Sequence, residues 1–178
     1  ENTMKRVRRP LVQLDAQGRV QSHGAHTPLR GIWHTTESHD APSIRDLEGI
    51  VSFWQRQKKG YGAHVIIDKS GNSALCVPPE KIAWHTGSRN TGSIGIELIG
   101  FARFVPKVWF VRRRQLHKLA RWMAWLNLAY DIPLVFDVER GWNGHVDQPN
   151  QTHWDPGPGF PRKHVLRLAV KYRTEGWS

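Results

Sequence analysis

The run Ser93-Ile-Gly-Ile-Glu-Leu-Ile99, closed off by Gly92 and Gly100, constrains the fold more than any other stretch of the chain. Short, rich in Ile and bounded by glycines, it reads as a buried central strand. A strand buried on both faces needs helices to cover it. Alternation within the run would also bury Glu97 beside large aliphatic residues, and a buried carboxylate needs a partner or a raised pKa. One segment therefore asks for a layered α/β fold and marks a candidate functional group.

The cover is legible elsewhere. Leu116, Leu119, Ala120, Met123, Leu126 and Tyr130 recur at three- and four-residue spacing and predict a helix from about Arg113 to Tyr130, with Arg114, Lys118 and Arg121 on its outer face. A second helix is expected from Ser43, a capping residue, to about Gln57, with Ile44, Leu47, Ile50, Val51 and Trp54 on one stripe. A third opens at Pro161 or Arg162 and places Val165, Leu166, Leu168, Ala169 and Tyr172 inward. Strands are expected at Leu29 to Thr35 and at Val135 to Val138, and a hairpin joins Ala63 to Asp68 with Ala74 to Val77 through Lys69-Ser-Gly-Asn72. Residues 1–28 read as a partly irregular arm with one short strand around Leu11 to Leu14. Residues 29–178 then form the main domain of a single globular unit, a mixed central β-sheet flanked by helices. At 178 residues the chain fits one core. The Gly- and Pro-rich stretch from Gly141 to Pro161 is a long loop, and loops of that length in compact domains usually have a function.

Composition narrows the chemistry. Cys76 is the only cysteine, which excludes an internal disulfide and a Cys-rich zinc site, so any metal must use His and carboxylate. The formal charge of +11 attracts polyanions. Nine tryptophans either fill the core or, beside Arg, grip sugars or bases through their ring faces. No apolar run approaches the roughly 18 residues of a membrane span, and no apolar signal segment follows the basic start.

Three segments carry metal-type ligands or acids at strand ends or in loops: Gly31-Ile-Trp-His-Thr-Thr-Glu37, Gly95-Ile-Glu-Leu98 and Gly144-His-Val-Asp-Gln-Pro-Asn-Gln-Thr-His-Trp-Asp-Pro-Gly-Pro158. A catalytic zinc takes three N or O protein ligands and keeps one open position, a need that His34, His145 and Asp155 meet. Glu97 is the candidate base. Ligand chemistry alone would accept His153 almost as readily as Asp155.

These motifs resemble the zinc-dependent type 2 N-acetylmuramoyl-L-alanine amidases, a family that includes phage endolysins and peptidoglycan-recycling amidases and shares its fold with peptidoglycan recognition proteins. The likeness runs from about Leu29 to Phe160. It implies zinc ligands at His34, in the Gly-His motif at His145 and in the Asp-Pro-Gly-Pro motif at Asp155, with the catalytic acid at Glu97. Gly62-Ala-His64 and Ala83-Trp-His85 resemble segments that line or support the family's cleft. Many members place Lys two residues before the third ligand, against the developing oxyanion; here that residue is His153, whose imidazole can still donate.

The resemblance implies hydrolysis of the amide between N-acetylmuramic acid and L-alanine. On the residues themselves, Trp84, His85, Arg89 and Asn90 are available for sugar or stem-peptide contacts, and Asp147 and Glu37 are weaker candidates for supporting the metal ligands. A non-catalytic peptidoglycan-binding module of the same fold would keep the cleft and need neither zinc nor Glu97. A nucleic-acid binder would explain the charge but leave the His, Glu and Asp motifs idle. The expectation is therefore a monomeric phage endolysin catalytic domain, made in the host cytoplasm and released at lysis. Its partner is peptidoglycan, with anionic wall polymers as a further candidate, and neither nucleic acid nor membrane insertion is expected.

Overall fold

The glycine-bounded run forms a strand with parallel neighbours on both sides. The computed structural model describes residues 6–40, 44–57 and 60–177. Its strands are β1 (Leu14–Asp15), β2 (Ser22–Ala25), β3 (Arg30–Thr35), β4 (Val65–Ile67), β5 (Ser73–Leu75), β6 (Lys81–Ala83), β7 (Ser93–Leu98) and β8 (Trp142–Gly144), and its helices are α1 (Arg45–Arg56), α2 (Pro106–Val111), α3 (Arg113–Tyr130) and α4 (Arg162–Glu175). Six strands make one mixed sheet in the order β1-β5-β4-β7-β3-β8, and β2 pairs with β6 in a separate ribbon. Within the large sheet only the β4–β5 hairpin is antiparallel, while β4, β7, β3 and β8 run parallel.

Alternation along the strands of the large sheet divides the interior into two cores. Ile94, Ile96 and Leu98 join Trp33, Val65 and Ile67 under α3 and α4, whereas Ile66, Ala74 and Cys76 lie with Leu47, Val51 and Trp54 of α1 on the other face. Four tryptophans, Trp33, Trp109, Trp122 and Trp142, are fully buried. Each removes roughly 150–250 Å² from water, worth about 4–6 kcal/mol before the entropy of ordering is subtracted. Core filling is thus the fate of these rings, while Trp154 is 52% exposed.

Several expectations shift. The arm's strand lies at Leu14–Asp15 rather than Leu11–Leu14, where it pairs parallel with β5. Ser43 falls outside the described residues. The strand expected at Val135 to Val138 is instead β8, because the Asp137 carboxylate accepts from the N–H groups of Glu139 and Arg140 and bends the chain, leaving Phe136 with a single bridge to Trp142. The ribbon of β2 and β6 escapes a periodicity reading because β2 is exposed along its whole length. Lys118 belongs inside rather than on the outer face of α3: it is 5% exposed, and its ammonium reaches the Gln13 side chain at 3.3 Å. Arg112 is likewise buried, donating to Asp40 at 2.6 Å and to the Ile99 carbonyl at 2.5 Å.

Candidate active site

Three adjacent parallel strands bring the candidate residues together at their C-terminal ends, where open α/β sheets place ligands. His34 is the penultimate residue of β3, Glu97 sits opposite it in the parallel register of β7, and His145 follows β8 directly. Asp155 arrives from the long loop, which is tied back at two points. Val146 N–H donates to the Asp155 carbonyl at 3.0 Å. Asp147 accepts from Gly144 N–H at 2.7 Å and from Arg162 at 2.6 Å, so its carboxylate staples the loop to the start of α4. Past Asp155 the loop packs tightly on the turn after β7. Gly157 has φ +86°, and a Cβ there would fall 1.8 Å from the Ala102 carbonyl oxygen, so both conformation and space require glycine.

His34, His145 and Asp155 are all buried, and each offers one ligand atom within 4.8 Å of the others. Nδ1 of His34 lies 3.1 Å from one Asp155 oxygen and Nδ1 of His145 lies 3.2 Å from the other. Burial alone would push the Asp155 carboxyl up, but where a proton sits between it and the two imidazoles their hydrogen bonds and charge prevail and hold it well below the usual carboxylate range. Burial lowers His34, with Asp155 opposing the shift.

The tautomers follow from a chain of contacts. Nε2 of His85 faces the Ser93 carbonyl at 3.3 Å, and only an N–H can satisfy a carbonyl. Nδ1 of a neutral His85 is then an acceptor, so Nε2–H of His34 donates to it across 2.9 Å. A neutral His34 is left with a bare lone pair on Nδ1, aimed at the Asp155 carboxylate. Two lone pairs facing each other in a buried site require a proton or a metal cation between them, and this donor set of two imidazoles and one carboxylate suits a catalytic zinc. Gly95 leaves the space for His85, since a Cβ on it would sit 2.5 Å from that ring. The other face of Gly95 is held by His64, which accepts from Gly95 N–H at 3.0 Å and donates to the Lys81 carbonyl at 2.8 Å, its pKa lowered to about 3 chiefly by burial.

Glu97 stands apart from Ile96 and Leu98, on the opposite face of β7 from these aliphatics, and lines the cleft rather than the core. Its Oε2 is out of solvent and has no hydrogen-bond partner. Burial first, then the charges of Asp155 and Glu37, push its carboxyl well above the ordinary range. A cation on the neighbouring ligands would pull it back down. Glu37 accepts from Thr35 at 2.5 Å and Ala102 N–H at 2.8 Å, which fixes the turn beyond His34.

The cleft, about 520 Å³, is lined by the ligand cluster and by an aromatic wall. Phe53 and Tyr61 form that wall, an edge-to-face pair with centroids 5.7 Å apart, and both are nearly half exposed. Sequence reading missed them because Phe53 sits on the solvent side of α1's apolar stripe and Tyr61 in a loop; exposed aromatics beside a cleft were their only signal. Trp84 and His153 also line it. His153 is 63% exposed in its side chain and stacks on His145 with centroids 4.4 Å apart. Arg89 and Asn90, expected as substrate contacts, do not line the cleft. The Asn90 carboxamide accepts from the N–H groups of His85 and Thr86, and Arg89 is spent on Glu139 and the Val138 carbonyl. His85 does border the cleft, but both ring nitrogens face protein partners.

A mixed sheet whose parallel strand ends present two imidazoles and a carboxylate to an open cleft is the frame of an α/β protein with a candidate metal centre. The sequence model of the N-acetylmuramoyl-L-alanine amidases matches residues 25–158. The chain belongs to that family, and its function is that of an N-acetylmuramoyl-L-alanine amidase. No protein of curated function matches the sequence. Among solved structures, a selenomethionine derivative of AmpD superposes with a TM-score of 0.66 at 20% identity, covering 89% of this chain and 96% of that one. The endolysin amidase LysCS of Clostridium intestinale URNW gives 0.61 at 19% identity, over 88% and 95% of the two chains. The Staphylococcus aureus hydrolase AmiA, solved with its ligand, gives 0.67 at 16% identity, over 93% and 84%. At these identities the likeness is one of fold.

Proposed function

We propose that this amidase is zinc-dependent and cuts cell-wall peptidoglycan as the catalytic unit of a phage endolysin, with His34, His145 and Asp155 holding the ion. The observation that carries the metal assignment is the proton chain from His85 to His34, which turns an imidazole lone pair toward a buried carboxylate. Zinc bound there would supply Lewis acidity, polarising an amide carbonyl and acidifying water. Glu97 is then the base: its unpartnered Oε2 can take the proton of the attacking water and return it to the leaving amine nitrogen. His153, which lines the cleft with an exposed imidazole, would donate to the oxygen on which negative charge develops. Trp84 and the Phe53–Tyr61 wall offer ring faces to a sugar or a stem peptide. The endolysin role is drawn from the likeness to LysCS, an endolysin by name.

Chelation tests the reading. Release of the stem peptide from purified peptidoglycan should stop in metal-free protein and return with zinc, and full activity without metal would refute the mechanism.

His85 acts in this account through His34. Replacing it with Phe removes both nitrogens while keeping a ring, and should weaken zinc binding about 10- to 100-fold, the usual cost of losing the partner of a ligating imidazole. Comparing the melting temperatures of the metal-free proteins separates this from plain destabilisation. An unchanged zinc Kd in a folded His85→Phe protein would remove the residue from the metal site.

A further inference from the structure

The formal charge of this chain is not spread over it. Residues 98–130 and 156–174 hold twelve of the 26 Lys and Arg and none of the 15 Asp and Glu, so the rest of the chain is close to neutral. These segments contain α2, α3 and nearly all of α4, the layer covering the sheet face opposite α1. Among the described residues, only Arg112 and Arg162 of the twelve form an ion pair with a carboxylate.

The unpaired cations are ordered in rows. Lys163, Arg167 and Lys171 are exposed and follow one another at four-residue spacing on α4, a rise of about 6 Å per step. On α3, Arg113 and Arg121 stand two such steps apart, with the His117 ring between them held against the Tyr172 hydroxyl at 2.6 Å. The two rows meet around a recess of about 280 Å³ lined by Phe110, Arg113, Leu116, His117 and His164. His117 is lowered by burial first and then by Arg121, Arg113, His164 and Lys171, three of which carry a permanent positive charge. Nε of Arg121 is buried without a hydrogen-bond partner. Like charges held together without counter-charges cost stability, and a polyanion would relieve that cost.

We propose that the α3–α4 face is a docking surface for a linear phosphodiester polymer of the bacterial wall, separate from the catalytic cleft. Rows of cations suit a chain of regularly spaced phosphates, and the recess accommodates one phosphate with its adjoining polyol. A lipid surface fits α4 less well, since Val170 is its one exposed large hydrophobic residue. Phe110 and Val111 of α2 and Leu128 of α3 are exposed as well, so vesicle binding forms one arm of the test. Choosing a wall polymer over other polyanions rests on the amidase reading: an anchor in the same wall raises the effective concentration of the cleft near its substrate.

The test measures retention on purified sacculi in the Glu97→Gln background, so that the wall stays intact, before and after hydrofluoric acid removes phosphodiester polymers and spares peptidoglycan. Extraction should lower retention about tenfold or more, and Arg167→Glu with Lys171→Glu should do the same on untreated wall, with binding that weakens steeply as salt rises. Lys81→Glu with Arg140→Glu, an equal charge change outside the layer, should leave retention within about twofold. Without the Glu97 change, the Arg167/Lys171 pair should hydrolyse a short soluble muropeptide at the parent rate, so the amidase reading is scored separately. Equal retention on extracted and untreated sacculi overturns the proposal, as does an equal loss from the Lys81/Arg140 pair. Binding to phosphatidylglycerol vesicles without binding to soluble poly(glycerol phosphate) would reassign the face to a membrane surface.

Discussion

Asp155→Ala should leave the protein without stoichiometric zinc and reduce peptidoglycan hydrolysis to background, while His153→Ala should keep the metal and slow turnover about 10- to 1000-fold. The two residues are separated only by Trp154, and both carry zinc-competent groups, yet the structure gives them different surroundings. Asp155 is 7% exposed and each of its oxygens meets a different imidazole Nδ1. Without it, the lone pair of His34 would face His145 alone, and two imidazoles make a poor site for an ion that takes three protein ligands. His153 lies flat on His145 with most of its side chain in solvent, and its Nδ1 is 4.0 Å from the nearer Asp155 oxygen. That position suits a donor to substrate better than a ligand. Zinc content and hydrolysis rate measured on the same preparations decide the matter. A zinc-free His153→Ala beside a zinc-loaded Asp155→Ala would exchange the two roles.

Glu97→Gln should retain zinc and fold while losing about 10²- to 10⁴-fold in turnover, the range expected when a positioned base is removed. Glutamine keeps the shape of the side chain but cannot accept a proton at the same position. The sign of the stability change is a second readout. Glu97 is held with its carboxyl raised, first by burial and then by the charges of Asp155 and Glu37, so its ionised form is disfavoured in the metal-free fold. A neutral amide escapes that penalty, and the metal-free variant should melt no lower than the parent near neutral pH. A structural carboxylate would behave oppositely, with a lower melting temperature and turnover little changed. Near-normal turnover in zinc-loaded Glu97→Gln would take this residue out of the mechanism.

The candidate ligands were legible because each stands in a local pattern with a physical meaning: His34 at the end of an apolar strand, His145 after Gly144, Asp155 in a corner built from Pro156, Gly157 and Pro158. The substrate contacts were less legible. Arg89 and Asn90 look available in sequence, but a side chain's hydrogen-bond partners depend on what the fold brings near it, and the backbone of His85 and Thr86 takes up the Asn90 carboxamide. For the same reason the outward turn of Phe53 toward Tyr61 is visible only once α1 lies against the loop.

Periodicity and glycine placement, being local properties, were enough to determine the buried strand at Ser93–Leu98, the long helix at Arg113–Tyr130, the final helix and the functional weight of the loop after Gly141. The acid-free composition of residues 98–130 is equally a property of sequence, although its meaning depended on seeing α3 and α4 share one face. Tertiary structure alone decided the rest. It put Lys118 inside α3's packing, turned Glu97 away from Ile96 and Leu98 into the cleft, and set His85 behind His34 with its protons directed by the Ser93 carbonyl. Most of these outcomes join residues dozens of positions apart, and no local pattern encodes which nitrogen, oxygen or face will meet another once strands align in register.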